Sequence, residues 1–193
     1  MICGGFILTG GQSRRMGRDK ALLPVGSTTL VENIAARLSE LAAEPTLVGQ
    51  PGRYTQLGLP VLDERYPGCG PLSGIESALR QTRHPWNFIL SCDIPDVPLP
   101  VLRALRQRAA STPADAVIPQ NPDGRLEPLC AIYHVRCLPS VEKALIERRW
   151  KVLDCVASLN FEPWMLDAGT ALRLANVNTP EDWAAHSAGE RGA

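Results

Sequence analysis

Short apolar runs alternate along this chain with stretches whose apolar residues recur every three or four positions. Phe6-Ile7-Leu8 gives way to Gly10-Gly11, Val61-Leu62 closes on Asp63, and Phe88-Ile89-Leu90 leads into Ser91-Cys92-Asp93. Thr46-Leu47-Val48, Ala116-Val117-Ile118 and the segment 129–135 read as further strands. Between them, Leu30, Val31, Ile34, Leu38 and Leu41 form one stripe of a helix over 30–41. Helices are also predicted over 71–83, where Pro71 suits a first turn, and over 98–109 and 138–149. Strands with helical crossovers build an α/β fold, a mostly parallel sheet flanked by helices. The continuous run at 88–90 fits a strand buried on both faces.

The chain has 193 residues, of which 45 % are apolar, enough for the core of one domain. The expected domain spans 1–187, with 188–193 as a flexible tail. Formal net charge is zero, which disfavours a nucleic-acid partner. The six cysteines contain no C-x-x-C pair and read as reduced thiols, with Cys92 as a small core residue. A signal peptide and an apolar run of membrane-spanning length are both absent, so the expectation is a cytoplasmic protein without a membrane partner.

Chemistry concentrates after the first strand, in Leu8-Thr9-Gly10-Gly11-Gln12-Ser13-Arg14-Arg15-Met16-Gly17-Arg18-Asp19-Lys20. Adjacent glycines expose backbone N–H groups that cradle an anion. Arg14, Arg15, Arg18 and Lys20 add cations suited to a triphosphate, whereas a plain turn with a solvated basic loop would explain the glycines alone. Neither G-x-x-x-x-G-K-[ST] nor G-x-G-x-x-G occurs here. Asp93 ends a buried strand, where α/β sheets bind ligands, and its hard oxygens suit Mg²⁺ held against phosphates. Asp63 ends its run in the same way and precedes the glycine-rich helix entry 68–74. In Asn176-Val177-Asn178-Thr179-Pro180, Thr179 and Pro180 satisfy a helix start. That role leaves the amides of Asn176 and Asn178 free to read a polar heterocycle.

Taken in order, L-T-G-G-x-S-R-R-M-G-x-D-K at 8–20, V-L-D at 61–63, G-P-L-S-G at 70–74, C-D-I-P at 92–95, E-P-L at 127–129 and N-V-N-T-P-E-D at 176–182 resemble the molybdenum cofactor guanylyltransferases, the MobA family. The resemblance implies a Rossmann-like nucleotidyltransferase fold. It implies GMP transfer from GTP to molybdenum-bound molybdopterin, giving the guanine dinucleotide cofactor and pyrophosphate with Mg²⁺ as cofactor. Molybdenum-insertion proteins and acceptor molybdoenzymes would be partners. Leu8, Thr9, Gly10 and Gly11 match the family's nucleotide loop, supported by Arg14 and Arg15. Lys20 matches its phosphate lysine, Asp63 a nucleotide-contacting aspartate, and Asp93 the aspartate meeting nucleotide and metal. Lys20 and Asp93 are the catalytic candidates, and Asn176 and Asn178 fall where the acceptor is expected.

This sequence departs from the family at Thr9, where alanine is usual, and at Val48-Gly49-Gln50, where the family can place an asparagine. A cytidylyltransferase acting on molybdopterin or another phosphorylated acceptor is the neighbouring alternative. The pair Gly10-Gly11, where cytidylyl relatives commonly carry Ala-Gly, favours guanine. A regulatory nucleotide-binding module without turnover is a third reading, which the presence of Lys20 and Asp93 argues against.

Overall fold

The alternation of strand and helix builds one large sheet with helices on both faces. The computed structural model describes residues 1–10 and 19–184. Its strands are β1 (Gly4–Leu8), β2 (Pro24–Val25), β3 (Thr28–Thr29), β4 (Thr46–Val48), β5 (Val61–Leu62), β6 (Trp86–Ser91), β7 (Ala116–Gln120), β8 (Cys130–His134) and β9 (Phe161–Met165). Its α-helices are α1 (Leu30–Ser39), α2 (Pro71–Gln81), α3 (Leu99–Ala109), α4 (Leu138–Ile146), α5 (Val152–Val156) and α6 (Ala168–Arg173). Short 3₁₀ turns cover Lys20–Leu22, Thr55–Leu57 and Val135–Cys137.

The sheet order is β5-β4-β1-β6-β8-β7-β9, and β2 and β3 form a separate hairpin. All pairs on the β5 side, through β6, are parallel; β8 alone runs against its neighbours. Six of the seven strands therefore share one direction, as the sequence predicts. All six residues of β6 are buried, as expected for a strand covered on both faces.

Each face of the sheet carries its own core. One combines Ile7, Leu47, Phe88 and Leu90 with Leu30, Ile34 and Leu38 of α1 and Val101, Leu102 and Leu105 of α3. The other combines Phe6, Leu8 and Ile89 with Leu72, Ile75 and Leu79 of α2 and Val141 and Leu145 of α4. Each fully buried side chain of this kind stabilises the fold by roughly 1.5–3 kcal/mol relative to exposure.

Helix limits differ from the sequence expectation where backbone geometry intervenes. α2 stops at Gln81 because Thr82 turns extended and its hydroxyl bonds Asn87 Oδ1 at 2.5 Å. α4 stops at Ile146, short of 149, and Arg148 takes a left-handed φ of 57°. Pro98 is the N-cap of α3 rather than its first residue, and α1 ends at Ser39. All six cysteines are free thiols, and Cys92 is a core residue as expected. Among the described residues no helix is long and apolar enough to cross a membrane.

The topology also fixes where a ligand can sit. From β1 the chain crosses over α1 to β4 on one side, and later returns over α2 to β6 on the other. The boundary between β1 and β6 is thus a switch point, where the strand ends splay into a crevice. Register aligns Leu8 with both Val48 and Ser91, and Val48 with Leu62. The next residues, Asp63, Gly49, Thr9 and Cys92, therefore form a row at the carboxyl edge.

Candidate active site

A cleft of about 450 Å³ opens above that row, lined by Leu8, Thr9, Gly10, Gln50, Asp63 and Glu64 among others. It gathers four predicted nucleotide residues, 8–10 and 63, from two separate strand ends. Gln50, which follows Val48-Gly49, lies in the same lining. The loop is held from below. Thr9 N and Thr9 Oγ1 both donate to Val48 O, at 2.9 and 3.0 Å. The hydroxyl thereby anchors the first residue beyond β1. Gly11, Arg14 and Arg15 lie outside the described residues.

Arg53, Tyr54 and Glu64 also line this cleft, and no motif or periodicity marks them in the sequence. Tyr54 is 1 % exposed, and burial pushes its phenol up to about 12. Its hydroxyl donates to Asp19 Oδ2 at 3.0 Å and lies 3.4 Å from Thr9 O. Arg53 pairs with the same Asp19 oxygen at 2.7 Å. The other Asp19 oxygen accepts from Ala21 N at 3.1 Å and caps the turn that carries Lys20. Burial, aided by the adjacent Asp63, holds the Glu64 carboxyl above the usual range.

Lys20 and Asp93 lie beside this cleft rather than in its lining. Cys92 N donates to Leu8 O at 3.2 Å, so Asp93 follows directly from the β1–β6 junction. Asp93 O accepts from Val177 N at 2.8 Å, and Lys20 Nζ donates to Asn178 Oδ1 at 2.9 Å. These contacts fasten 176–178 across the site, and the segment's own end is capped as expected. Asp182 N donates to Thr179 Oγ1, and Asp182 Oδ2 accepts from the N–H groups of Asn178 and Thr179.

A second cleft, of about 620 Å³, includes Asn176, Asn178, Asn121 and Glu127 in its lining. The β7–β8 hairpin brings Asn121 and Glu127 to this edge of the sheet. Asn178 thus meets Lys20 and lines the second cleft at once, a junction the sequence did not reveal. Burial pushes the Glu127 carboxyl above its usual range against a hydrogen bond from Asn121. The nearby charges of Asp93 and Asp123 add to the rise.

Two buried side-chain oxygens among the described residues lack a hydrogen-bond partner, Asp93 Oδ1 and Asn121 Oδ1. No three of His, Cys, Asp or Glu converge as a metal centre among those residues. Mg²⁺ bound to phosphates commonly takes only one or two protein carboxylates. Asp93 Oδ1 is an unpaired hard oxygen of the kind that could hold such an ion.

Residues 5–159 match the family model described as the MobA-like NTP transferase domain. The chain belongs to that family. This nucleotidyltransferase is 38 % identical over 182 residues to a protein of Carboxydothermus hydrogenoformans named "Probable molybdenum cofactor guanylyltransferase". The alignment covers 92 % of this chain and 91 % of that one. A relative of the same name from Mycobacterium tuberculosis is 38 % identical, over 91 % of this chain and 84 % of its own.

Among solved structures, molybdopterin-guanine dinucleotide biosynthesis protein A of Archaeoglobus fulgidus superposes with TM-score 0.84 at 22 % identity, covering 98 % of this chain and 100 % of its own. The 2-C-methyl-D-erythritol 4-phosphate cytidylyltransferase of Thermus thermophilus gives 0.70 at 18 %, with the same coverage. Those two likenesses establish the Rossmann-like nucleotidyltransferase fold and not the nucleotide.

One loop contact is tight enough to test in this nucleotidyltransferase. A Cβ on Gly49 would lie 2.4 Å from Thr9 Oγ1. Gly49→Ala is expected to displace Thr9, cost about 1–3 kcal/mol and lower Tm on the order of 5 °C. Thermal unfolding checks this, and adding Thr9→Ala should recover most of the loss by removing the clashing hydroxyl. A double variant as unstable as Gly49→Ala alone overturns the explanation.

Proposed function

We propose that this chain transfers GMP from GTP to molybdenum-bound molybdopterin, releasing pyrophosphate. The observation that carries the reading is the joining of two clefts through one pair of charged residues. Asp93 is tied to the first cleft through Cys92 and Leu8, and its carbonyl holds Val177, whose neighbours Asn176 and Asn178 line the second; Lys20 meets Asn178 of the second. A donor nucleotide in the first cleft and a phosphorylated acceptor in the second would meet at that pair. The guanylyltransferase names of relatives at 38 % identity support the same substrates.

The acceptor phosphate, largely ionised near neutrality, needs no general base. One of its oxygens forms a bond to the α-phosphorus as the α–β bridging P–O bond breaks, and the electron pair leaves with pyrophosphate. The loop amides after β1 and the Lys20 ammonium offset charge on the triphosphate. Asp93 would hold Mg²⁺, which when bound neutralises phosphate charge. Leu8, Thr9, Gly10, Gly11 and Asp63 position the nucleotide, Arg14 and Arg15 support its phosphates, and Asn176 and Asn178 face the acceptor. The domain extends over 1–187 and works in the cytoplasm, where molybdenum-insertion proteins supply it and molybdoenzymes draw on its product.

The same fold serves a cytidylyltransferase, so nucleotide choice needs its own experiment. Calorimetric titration in Mg²⁺ should show GTP binding at least about tenfold tighter than CTP, the scale of one pocket contact. Pyrophosphate should then appear with GTP and molybdopterin together. Equal or tighter CTP binding overturns the guanine assignment.

A further inference from the structure

The Asn121–Glu127 pair belongs to neither the phosphate chemistry nor the asparagines at 176 and 178, yet it is built with care. Asn121 is 5 % exposed, and a tight hairpin fixes it: Asn121 N donates to Arg125 O at 2.7 Å, and Gly124 N donates back to Asn121 O at 2.9 Å. Glu127 N is held by Pro119 O at 2.8 Å. The side chains meet directly, with Asn121 Nδ2 donating to Glu127 Oε1 at 2.5 Å. A carboxylate only accepts, so this bond fixes the amide orientation and turns Asn121 Oδ1 away from Glu127. That oxygen is buried without a partner. An unpaired buried acceptor costs free energy unless a ligand completes it.

We propose that Asn121 and Glu127 read the 2-amino-4-oxo edge of a pterin ring in the second cleft, through the ring's adjacent N–H donors. The assignment rests on the acceptor reading given above and adds the part of the acceptor it recognises. One hydrogen bond holds both groups in place and leaves each an acceptor, Asn121 Oδ1 and the Glu127 carboxylate, a set that suits a ligand edge with two neighbouring donors. The amino group and ring N–H of a 2-amino-4-oxo pyrimidine are such an edge. On the lip of the same cleft Leu172 is 77 % exposed, an apolar surface suited to the flat face of a heterocycle. Asn176 and Asn178 also line this cleft, and Asn178 accepts from Lys20, which leaves that segment to the acceptor's phosphate end.

The test uses the intact protein and two fluorescent probes, 6-hydroxymethylpterin and 6-hydroxymethyllumazine. They differ in one group: lumazine carries a carbonyl in place of the 2-amino donor. Wild type should bind the pterin about tenfold more tightly, the size of one hydrogen bond to a charged group. Glu127→Gln should lose most of that preference, raise KM for molybdopterin by a similar factor, and leave GTP affinity within about twofold. Guanine shows the same donor edge, so the GTP titration tells the two sites apart. Equal binding of both probes by wild type, or no binding of either, overturns the proposal without any variant. So does a Glu127→Gln protein with unchanged preference, or one that loses GTP affinity instead. Unchanged molybdopterin KM in Glu127→Gln defeats this site but leaves guanylyl transfer standing. A clear pterin preference without pyrophosphate release from GTP and molybdopterin defeats the transfer reading and leaves the site.

Discussion

An Asp93→Asn protein is expected to fold as well as wild type and to release pyrophosphate at least about 100-fold more slowly. Asparagine keeps the volume of aspartate and one carbonyl oxygen, so the packing after β6 is undisturbed. The backbone bond that Asp93 accepts from Val177 N also survives, because it uses the main-chain carbonyl. What disappears is the charge on a side chain whose Oδ1 is buried and unpaired. An unpaired buried oxygen that carries charge costs more than a neutral amide oxygen, so the variant's Tm should equal or exceed that of wild type. A rise in Tm together with a collapse in turnover marks a residue retained for function. Magnesium should also lose its influence on GTP affinity, since neutral asparagine is a poor ligand for a hard dication. Circular dichroism, thermal unfolding, GTP titration with and without Mg²⁺, and pyrophosphate release provide the readouts. Turnover near the wild-type rate removes Asp93 from the metal role and makes Asp63, at the matching end of β5, the next carboxylate to replace.

The residues that could be read from the sequence are those whose role is local. β1, β4 and β6 announce themselves as apolar runs, and the glycine and aspartates that end β1, β5 and lead out of β6 stand at one edge because parallel register puts them there. Pro71 opens α2 as expected, since a missing N–H costs nothing in a first turn. β9 was not legible. It is an edge strand with Pro163 in its middle and no fully buried residue, so it lacks an apolar run. Tyr54 was equally hidden. It is a lone aromatic between two short elements, packed into the core, and its hydroxyl meets Asp19 and Thr9, distant in the chain. The second cleft depends on the β7–β8 hairpin and on 176–178 folding back over the end of β6, neither of which leaves a periodic signature. E-P-L at 127–129 is visible as a motif, but its glutamate meets Asn121 only once the hairpin folds.

Lys20→Ala is expected to cost roughly 2–4 kcal/mol of activation free energy with little loss of fold stability. The chain spends three interactions on placing this one ammonium. Asp19 caps the turn through Ala21 N, and Arg53 and Tyr54 lock Asp19. Ala21, fully buried, roots the turn in the core. None of these contacts involves the Lys20 side chain, so removing it leaves the turn intact. The contact that does is the exposed bond to Asn178, 158 positions away, and exposed contacts of this kind contribute little to stability. A large kinetic loss with an unchanged Tm therefore points to phosphate charge rather than architecture. Asn178→Ala provides the contrast: it frees the ammonium but keeps it, so turnover should fall far less than in Lys20→Ala. Lys20→Arg should recover only part of the rate, because a planar fork does not reproduce a compact point charge. Steady-state pyrophosphate release and thermal unfolding on the three variants make the comparison. If Lys20→Ala turns over near the wild-type rate, or Asn178→Ala is impaired as severely, the ammonium orders 176–178 instead of meeting the triphosphate.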